Sequence, residues 1–181
     1  MKSLFCLAAM FGLIGLLNGG CTTSPDTDAG KTNLNDDSAN ALRQLETTDP
    51  TLNDFVKHAY GYAIFPSVGK GAVGVGGAYG KGTVYANGDM IGFADLSQAT
   101  IGAQLGGQTY SELIVFETEQ ALENFKGNNY AFDAQASAVA AKAGASNTAR
   151  YSNGVAIFTM PQGGLMFEAS VGGQRFTFQP K

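Results

Sequence analysis

The chain has 181 residues and a formal net charge of −4 at pH 7. This acidic balance argues against nucleic acid as a partner, because binding to nucleic acid depends on cations that neutralise phosphates. The same balance argues against a broad electrostatic attraction to anionic lipid.

The first 20 residues have the pattern of an export signal. A short basic start is followed by an uncharged apolar run from Leu4 to Leu17 and then by small residues before Cys21. The run is shorter than the ~20 residues that a helix needs to cross a bilayer. A cysteine after two glycines resembles the lipobox of bacterial lipoproteins, although Leu17 stands four positions before Cys21 rather than three. We predict a signal peptide over residues 1–20 and lipidation of Cys21, with plain secretion or an uncleaved anchor as the alternatives.

The cysteine content supports lipidation. The chain has two cysteines, Cys6 and Cys21. Cys6 leaves with the signal, so Cys21 has no disulfide partner, and acylation explains a single cysteine in an exported chain. We therefore expect a protein that is lipid-anchored to the bacterial cell envelope. In a Gram-negative bacterium, Thr22 after the cysteine, rather than Asp, favours the outer membrane, with the protein facing the periplasm.

The segment after the cysteine is expected to lack structure. Residues 21–35 are predicted to form the lipidated amino terminus and a flexible tether, because Thr22–Asn35 is polar, acidic and poor in apolar residues. A single domain is then predicted over residues 36–181.

Two short helices are predicted at the start of this domain. Asp37 or Ser38 can cap the first. Asp49 as N-cap and Pro50 at the first helical position indicate the start of the second. The apolar stripe of the second helix favours packing on a sheet, and contact with a membrane is the alternative.

After residue 60 the pattern changes to strands, interrupted by one helix that Thr118 caps and Gly127 ends. The fold class is therefore α+β, with a strongly bent antiparallel β-sheet or barrel-like meander and a few short helices. The predicted strands lie near residues 61–65, 72–79, 82–86, 90–95, 99–106, 109–116, 133–141, 154–160, 164–171 and 174–178.

The glycine-rich strand near residues 72–79 is the candidate binding element. One of its faces carries almost no side chain, since Ala72, Gly74, Gly76 and Ala78 alternate along it. Such a face lets a ligand or another backbone come close.

Two lysines flank this strand. Lys70 and Lys81 would lie roughly 35 Å apart if the strand were straight, which is too far for one lipid headgroup. The two lysines therefore have different roles, or the strand bends sharply. The simpler interpretation is that both are solubilising charges at the ends of the strand. The candidate lipid-binding residues are Lys70, Gly74, Gly76, Ala78 and Lys81.

Other motifs argue against an enzyme. Residues 69–74 match the G-x-G-x-x-G pattern of dinucleotide sites, but a strand rather than a helix follows. The single histidine, His58, lies at a helix end, and the acidic residues have no ligand-like spacing. We predict no catalytic residues, no metal and no cofactor.

The chain resembles the SYLF-domain family. The resemblance is carried first by Ala59–Val68, then by Gly69–Gly71 and Gly74–Gly82, and later by the segment Ile101–Gly107. The segments Asp133–Val139 and Tyr151–Gly154 resemble later blocks of the family.

The resemblance implies a lipid-binding, membrane-associated domain over residues 36–181. Eukaryotic members are tied to phosphoinositides and actin, but actin is not expected in a bacterial envelope. The sequence therefore predicts a non-enzymatic envelope lipoprotein whose domain binds lipid or an apolar ligand. The alternative is a structural or interaction lipoprotein that binds another envelope protein.

Overall fold

A computed structural model describes residues 24–127, 130–132, 138–163, 171 and 173–181, with the backbone alone at 72–75 and 100–106. The fold is α+β with a strongly bent, largely antiparallel sheet, which confirms the predicted class. The elements in chain order are α1 (Asp28–Thr48), α2 (Leu52–His58), β1 (Gly61–Ala86), β2 (Asp89–Phe116), α3 (Glu119–Lys126), β3 (Tyr130–Ala131), β4 (Val139–Ala140), a 3₁₀ turn (Ser146–Thr148), β5 (Val155–Gly163) and β6 (Gln174–Pro180).

β1 and β2 form one long antiparallel ribbon. Its turn is Asn87–Gly88, where both residues have positive φ, 51° and 88°, as a two-residue hairpin of type I′ requires. The prediction of six short strands between residues 61 and 116 was therefore wrong. The glycines between the predicted strands continue the ladder, as Gly71 does opposite Gly107, because a missing side chain does not remove the backbone hydrogen bonds.

The ribbon folds back so that its turn meets its open end. Asn87 donates a backbone hydrogen bond of 3.0 Å to the carbonyl of Tyr60. The rings of Tyr62 and Tyr85, one from each end of β1, stack with centroids 4.7 Å apart. Register shifts in the β1–β2 ladder, including one between Val73 and Val75, increase the local bend.

Folding the ribbon produces two facing layers. The first layer contains β4, β5, the start of β1 and the end of β2. The second layer contains β3, β6, the end of β1 and the start of β2. β2 belongs to both layers, because its residues 109–116 pair with β5 and its residues 92–98 pair with β6. The inner face of each layer is the face turned toward the other layer.

The main core lies between the layers and is closed at one end by α3. Its largest side chains, all fully buried, are Phe65, Phe116, Phe125 and Phe176. A second core lies on the outer face of the first layer under α1 and α2. It is built from buried residues that include Leu45, Leu52, Ile64, Leu113 and Phe158.

The helices correct three predictions. α1 begins at Asp28, and its N-cap is Thr27 rather than Asp37 or Ser38, which lie inside the helix. The side chain of Thr27 accepts from the N–H of Gly30. The prediction of a flexible tether was therefore wrong over residues 28–35. Asp49 ends α1, and Thr51 rather than Asp49 occupies the N-cap position of α2.

Several other predictions are confirmed. α3 has the predicted cap, Thr118, and the predicted C-cap, Gly127. The strands predicted at 154–160 and 174–178 are β5 and β6, each somewhat longer than predicted. Residues 133–137 and 164–170 lie outside the described residues. No helix within the described ranges is long and apolar enough to cross a membrane.

Candidate ligand site between the two layers

The small-residue face of β1 is part of the inner face. Gly76 and Ala78 are buried there. The same face continues through Gly80 and Gly82, where it meets the first layer. A Cβ at Gly82 would stand 2.5 Å from the carbonyl oxygen of Ile64, and one at Gly80 would stand 3.0 Å from the carbonyl oxygen of Ser67. At these two glycines the bare face therefore touches its own sheet.

The remaining predicted residues divide between the two faces. Gly74 lies in β1 at the register shift between Val73 and Val75, and its surroundings are outside the described residues. Lys70 follows buried Val68 by two positions and so shares the inner face. Gly80 and Gly82, on either side of Lys81, face the interior, so the side chain of Lys81 projects from the outer face. The structure therefore places the two lysines on opposite faces.

A buried polar cluster bridges the layers beside this face, built from Tyr110, Glu112 and Gln174. Glu112 and Gln174 are fully buried and Tyr110 is nearly so. The side-chain amide of Gln174, from the second layer, donates to Glu112 Oε2 at 2.9 Å and to the Tyr110 hydroxyl at 3.2 Å, both from the first layer. The cluster therefore ties β6 to the end of β2 through the core.

Burial sets the charge of this cluster. Burial raises the pKa of Glu112 to about 8, against the opposing effects of the Gln174 hydrogen bond and the positive charge of Lys70. Burial, with the nearby Glu112, also raises the pKa of Tyr110 above its usual range. At neutral pH the Glu112 carboxyl is therefore mostly protonated and can donate a hydrogen bond as well as accept one.

Two oxygens of the cluster have no hydrogen-bond partner within the described part of the chain. Both Glu112 Oε1 and Gln174 Oε1 are buried. A buried polar group without a hydrogen-bond partner costs about 1–3 kcal/mol. The small-residue face is close by, because Gln174 pairs with Gln98 and Gln98 pairs with Ala78, which places Ala78 two strands from Gln174, about 10 Å. The interior thus places two unpartnered polar oxygens beside a face that carries little side-chain volume.

One signal of this cluster is visible in the sequence. In residues 109–116 the alternation places Glu112 in one row with Tyr110, Ile114 and Phe116, and a carboxyl in an apolar row is unusual. Gln174 could not be found in this way, because its partners come from a strand more than 60 residues away. Across the part of the chain that the structure describes, no group of three or more His, Cys, Asp or Glu side chains could hold a metal ion.

The Glu112 pKa predicts how stability depends on pH. The folded-state pKa of about 8 exceeds the ordinary value of 4.5, so the folded state binds this proton more tightly than the unfolded state. The contribution of Glu112 to the free energy of unfolding is complete below pH 4.5 and is lost as pH rises toward 8. We expect Glu112→Gln to remove this loss of stability at high pH. At pH 5 its free energy of unfolding should lie within about 1 kcal/mol of that of the parent. Urea unfolding of both proteins from pH 5 to pH 8.5 tests this, and parallel pH profiles would contradict it.

A second surface feature runs along α1. Two adjoining cavities of about 450 and 410 Å³ share Asn40 and Gln44. Their remaining lining is mostly polar and comes from α1 and the first layer, including Arg43, Thr47, Thr48, Ser67, Met160 and Gln162. This groove is open, and most of the side chains that line it end in a polar group.

Comparison with known proteins connects the fold to a family. Residues 97–181 match the Ysc84 family, described as a Las17-binding protein actin regulator. The chain is also 28% identical over 145 residues to Beta cell expansion factor A of Aeromonas veronii, which covers 75% of this chain and 52% of that protein. The chain thus spans about half the length of this relative. Both matches agree with the SYLF resemblance that the sequence shows.

Proposed function

We propose that this SYLF-domain protein is a non-enzymatic lipoprotein of the bacterial cell envelope, anchored through Cys21, whose domain binds an amphipathic lipid. The family match supports lipid binding or interaction as the general role. The finer assignment rests on one observation, the two buried and unpartnered oxygens of Glu112 and Gln174 beside the small-residue face.

The chemistry of the cluster indicates the class of ligand. Because Glu112 Oε2 accepts from Gln174, the proton of the neutral carboxyl lies on Oε1, which donates to a hydroxyl, carbonyl or phosphate oxygen of the headgroup. Gln174 Oε1 accepts from a hydroxyl or amine of the same headgroup. An acyl chain would lie along Gly76 and Ala78, which carry no side chain larger than a methyl group. Lys70, on the same face, adds a positive charge near the polar end.

Native mass spectrometry of the full chain, extracted from cell membranes in mild detergent, tests this proposal. A covalent anchor adds mass that survives collisional activation, whereas a bound lipid adds mass that is released. We expect both increments in the parent protein. Ala78→Val, which adds two methyl groups to the small face, is expected to lower the lipid-bound fraction about tenfold.

The matched control is Gly163→Ala, at an exposed position where an added Cβ meets nothing within 4 Å. It should retain the bound lipid. Circular dichroism spectra of the variants establish that each is folded. Folded parent protein without any releasable lipid would contradict the proposed lipid binding, whatever its covalent mass.

The groove along α1 favours a second function, binding of another envelope protein. Its amide and hydroxyl side chains suit a polar surface better than an acyl chain. Crosslinking in cells from the exposed groove residue Gln44 that recovers one protein, together with lipid-free native spectra, would favour this function over lipid binding.

A further inference from the structure

We propose that the anchor fixes the orientation of the domain, with β6 and the amino-terminal end of α1 facing the membrane and the loop around Ser146 pointing away. This inference rests on the proposed lipidation of Cys21. It adds which surface the membrane covers and which surface stays open to partners.

The first observation is that the chain is docked almost as soon as it leaves Cys21. Ser24 is only 6% exposed, and its backbone N–H donates to Gln179 Oε1 at 3.0 Å, across 155 residues of sequence. Three peptide steps separate Cys21 from Ser24, and each spans at most about 3.8 Å. An acylated Cys21 therefore keeps Ser24 within about 11 Å of the lipidated residue, and Ser24 holds the Gln179 end of β6 beside it.

The second observation is that α1 separates the two ends of the domain. It follows the docked segment directly, begins at Asp28 and runs for 21 residues, which is about 31 Å of helix. At its far end the Asp49 carboxylate accepts hydrogen bonds from the N–H groups of Ser146 at 2.7 Å and Gly144 at 3.1 Å. The Ser146 loop is thus held about 30 Å from the anchored end.

The charges agree with this orientation. Residues 174–181 contain two cations, Arg175 and Lys181, and no acidic residue, and both cations are exposed. Asp26 and Asp28 also lie near this end, so the short connection to the anchor supplies the main constraint and charge adds to it. The body of α1 and α2 carries exposed Asp36, Asp37 and Asp54, which an anionic leaflet repels.

Headgroup quenching in vesicles tests the orientation with the full, processed chain. Once the signal is removed, the acylated Cys21 is the only native cysteine, so one introduced thiol can be labelled alone. Thr177→Cys is exposed on β6, and Asn147→Cys is exposed beside Ser146. In vesicles of phosphatidylethanolamine and phosphatidylglycerol (3:1) with a headgroup-attached quencher, we expect at least threefold stronger quenching at position 177 than at position 147.

A linker variant tests the short connection itself. Twenty Gly and Ser residues inserted between Thr23 and Ser24 would span roughly 25 Å on average, and we expect the quenching ratio to fall toward one. Equal quenching at both positions in acylated protein would overturn the orientation alone. A ratio that the linker leaves unchanged would overturn the role of the anchor in setting it. Protein without acyl mass would overturn the lipidation, and the orientation with it.

Discussion

Replacing Asp49 with asparagine is expected to lower the free energy of unfolding by about 3–5 kcal/mol. The carboxylate is fully buried and accepts from the N–H and hydroxyl of Thr51 and from the N–H groups of Gly144 and Ser146. An asparagine keeps the shape but directs an NH₂ group at donors, so at least one buried N–H loses its acceptor. Urea unfolding followed by circular dichroism measures the loss.

The control for this substitution is Asp54→Asn. Asp54 is exposed on the next helix, so its replacement should change stability by no more than about 0.5 kcal/mol. A loss at Asp49 no larger than the loss at Asp54 would show that the four hydrogen bonds do not hold the loop.

The same network predicts an effect of acid. Burial alone would raise the pKa of Asp49, but hydrogen bonds from Thr51, Ser146 and Gly144 outweigh it and hold the pKa below the ordinary value of 3.8. The stability that Asp49 contributes is therefore present above pH 3.8 and is lost as pH falls through the folded-state pKa. Asp49→Asn should therefore reduce the loss of stability at acidic pH, whereas Glu112→Gln should reduce the loss of stability at alkaline pH.

Asp49 also shows where sequence-based prediction ends. Its position before Pro50 has the pattern of a helix N-cap, and the sequence correctly places a helix boundary there. The local pattern does not contain Gly144 and Ser146, which lie 95 and 97 residues away and which place the carboxylate in the interior. Thr118 and Gly127 were predicted correctly because both caps act within their own helix.

The candidate site shows the same division. The alternation in β1 correctly identifies a face without side chains, because period two follows from strand geometry alone. It does not identify what the face meets, since that depends on how the ribbon folds. Lys70 and Lys81 are equally close to the glycine-rich strand in sequence, yet alternation and the observed inward face separate them. Glu112 and Gln174 meet only because the two layers close on each other.

Replacing Gly82 with alanine is expected to lower the free energy of unfolding by at least about 3 kcal/mol, or to prevent folding. The added Cβ would stand 2.5 Å from the carbonyl oxygen of Ile64 and 2.7 Å from Cδ1 of the Phe65 ring. Phe65 is fully buried, so its ring cannot move into solvent, and the Ile64 carbonyl belongs to the β1–β2 ladder. Relief of the clash therefore requires the two layers to separate, which exposes the core between them.

The matched control lies in the same strand. Gly71 is exposed, pairs with Gly107, and would direct an added Cβ into open space. Gly71→Ala should leave stability unchanged or raise it by up to ~1 kcal/mol, because alanine restricts the unfolded chain more than glycine does. Urea unfolding of both variants, with soluble yield recorded for Gly82→Ala, separates the two positions. Equal stability of the two variants would mean that the second layer does not rest on Ile64 and Phe65, and that the bare face is open to a ligand along its whole length.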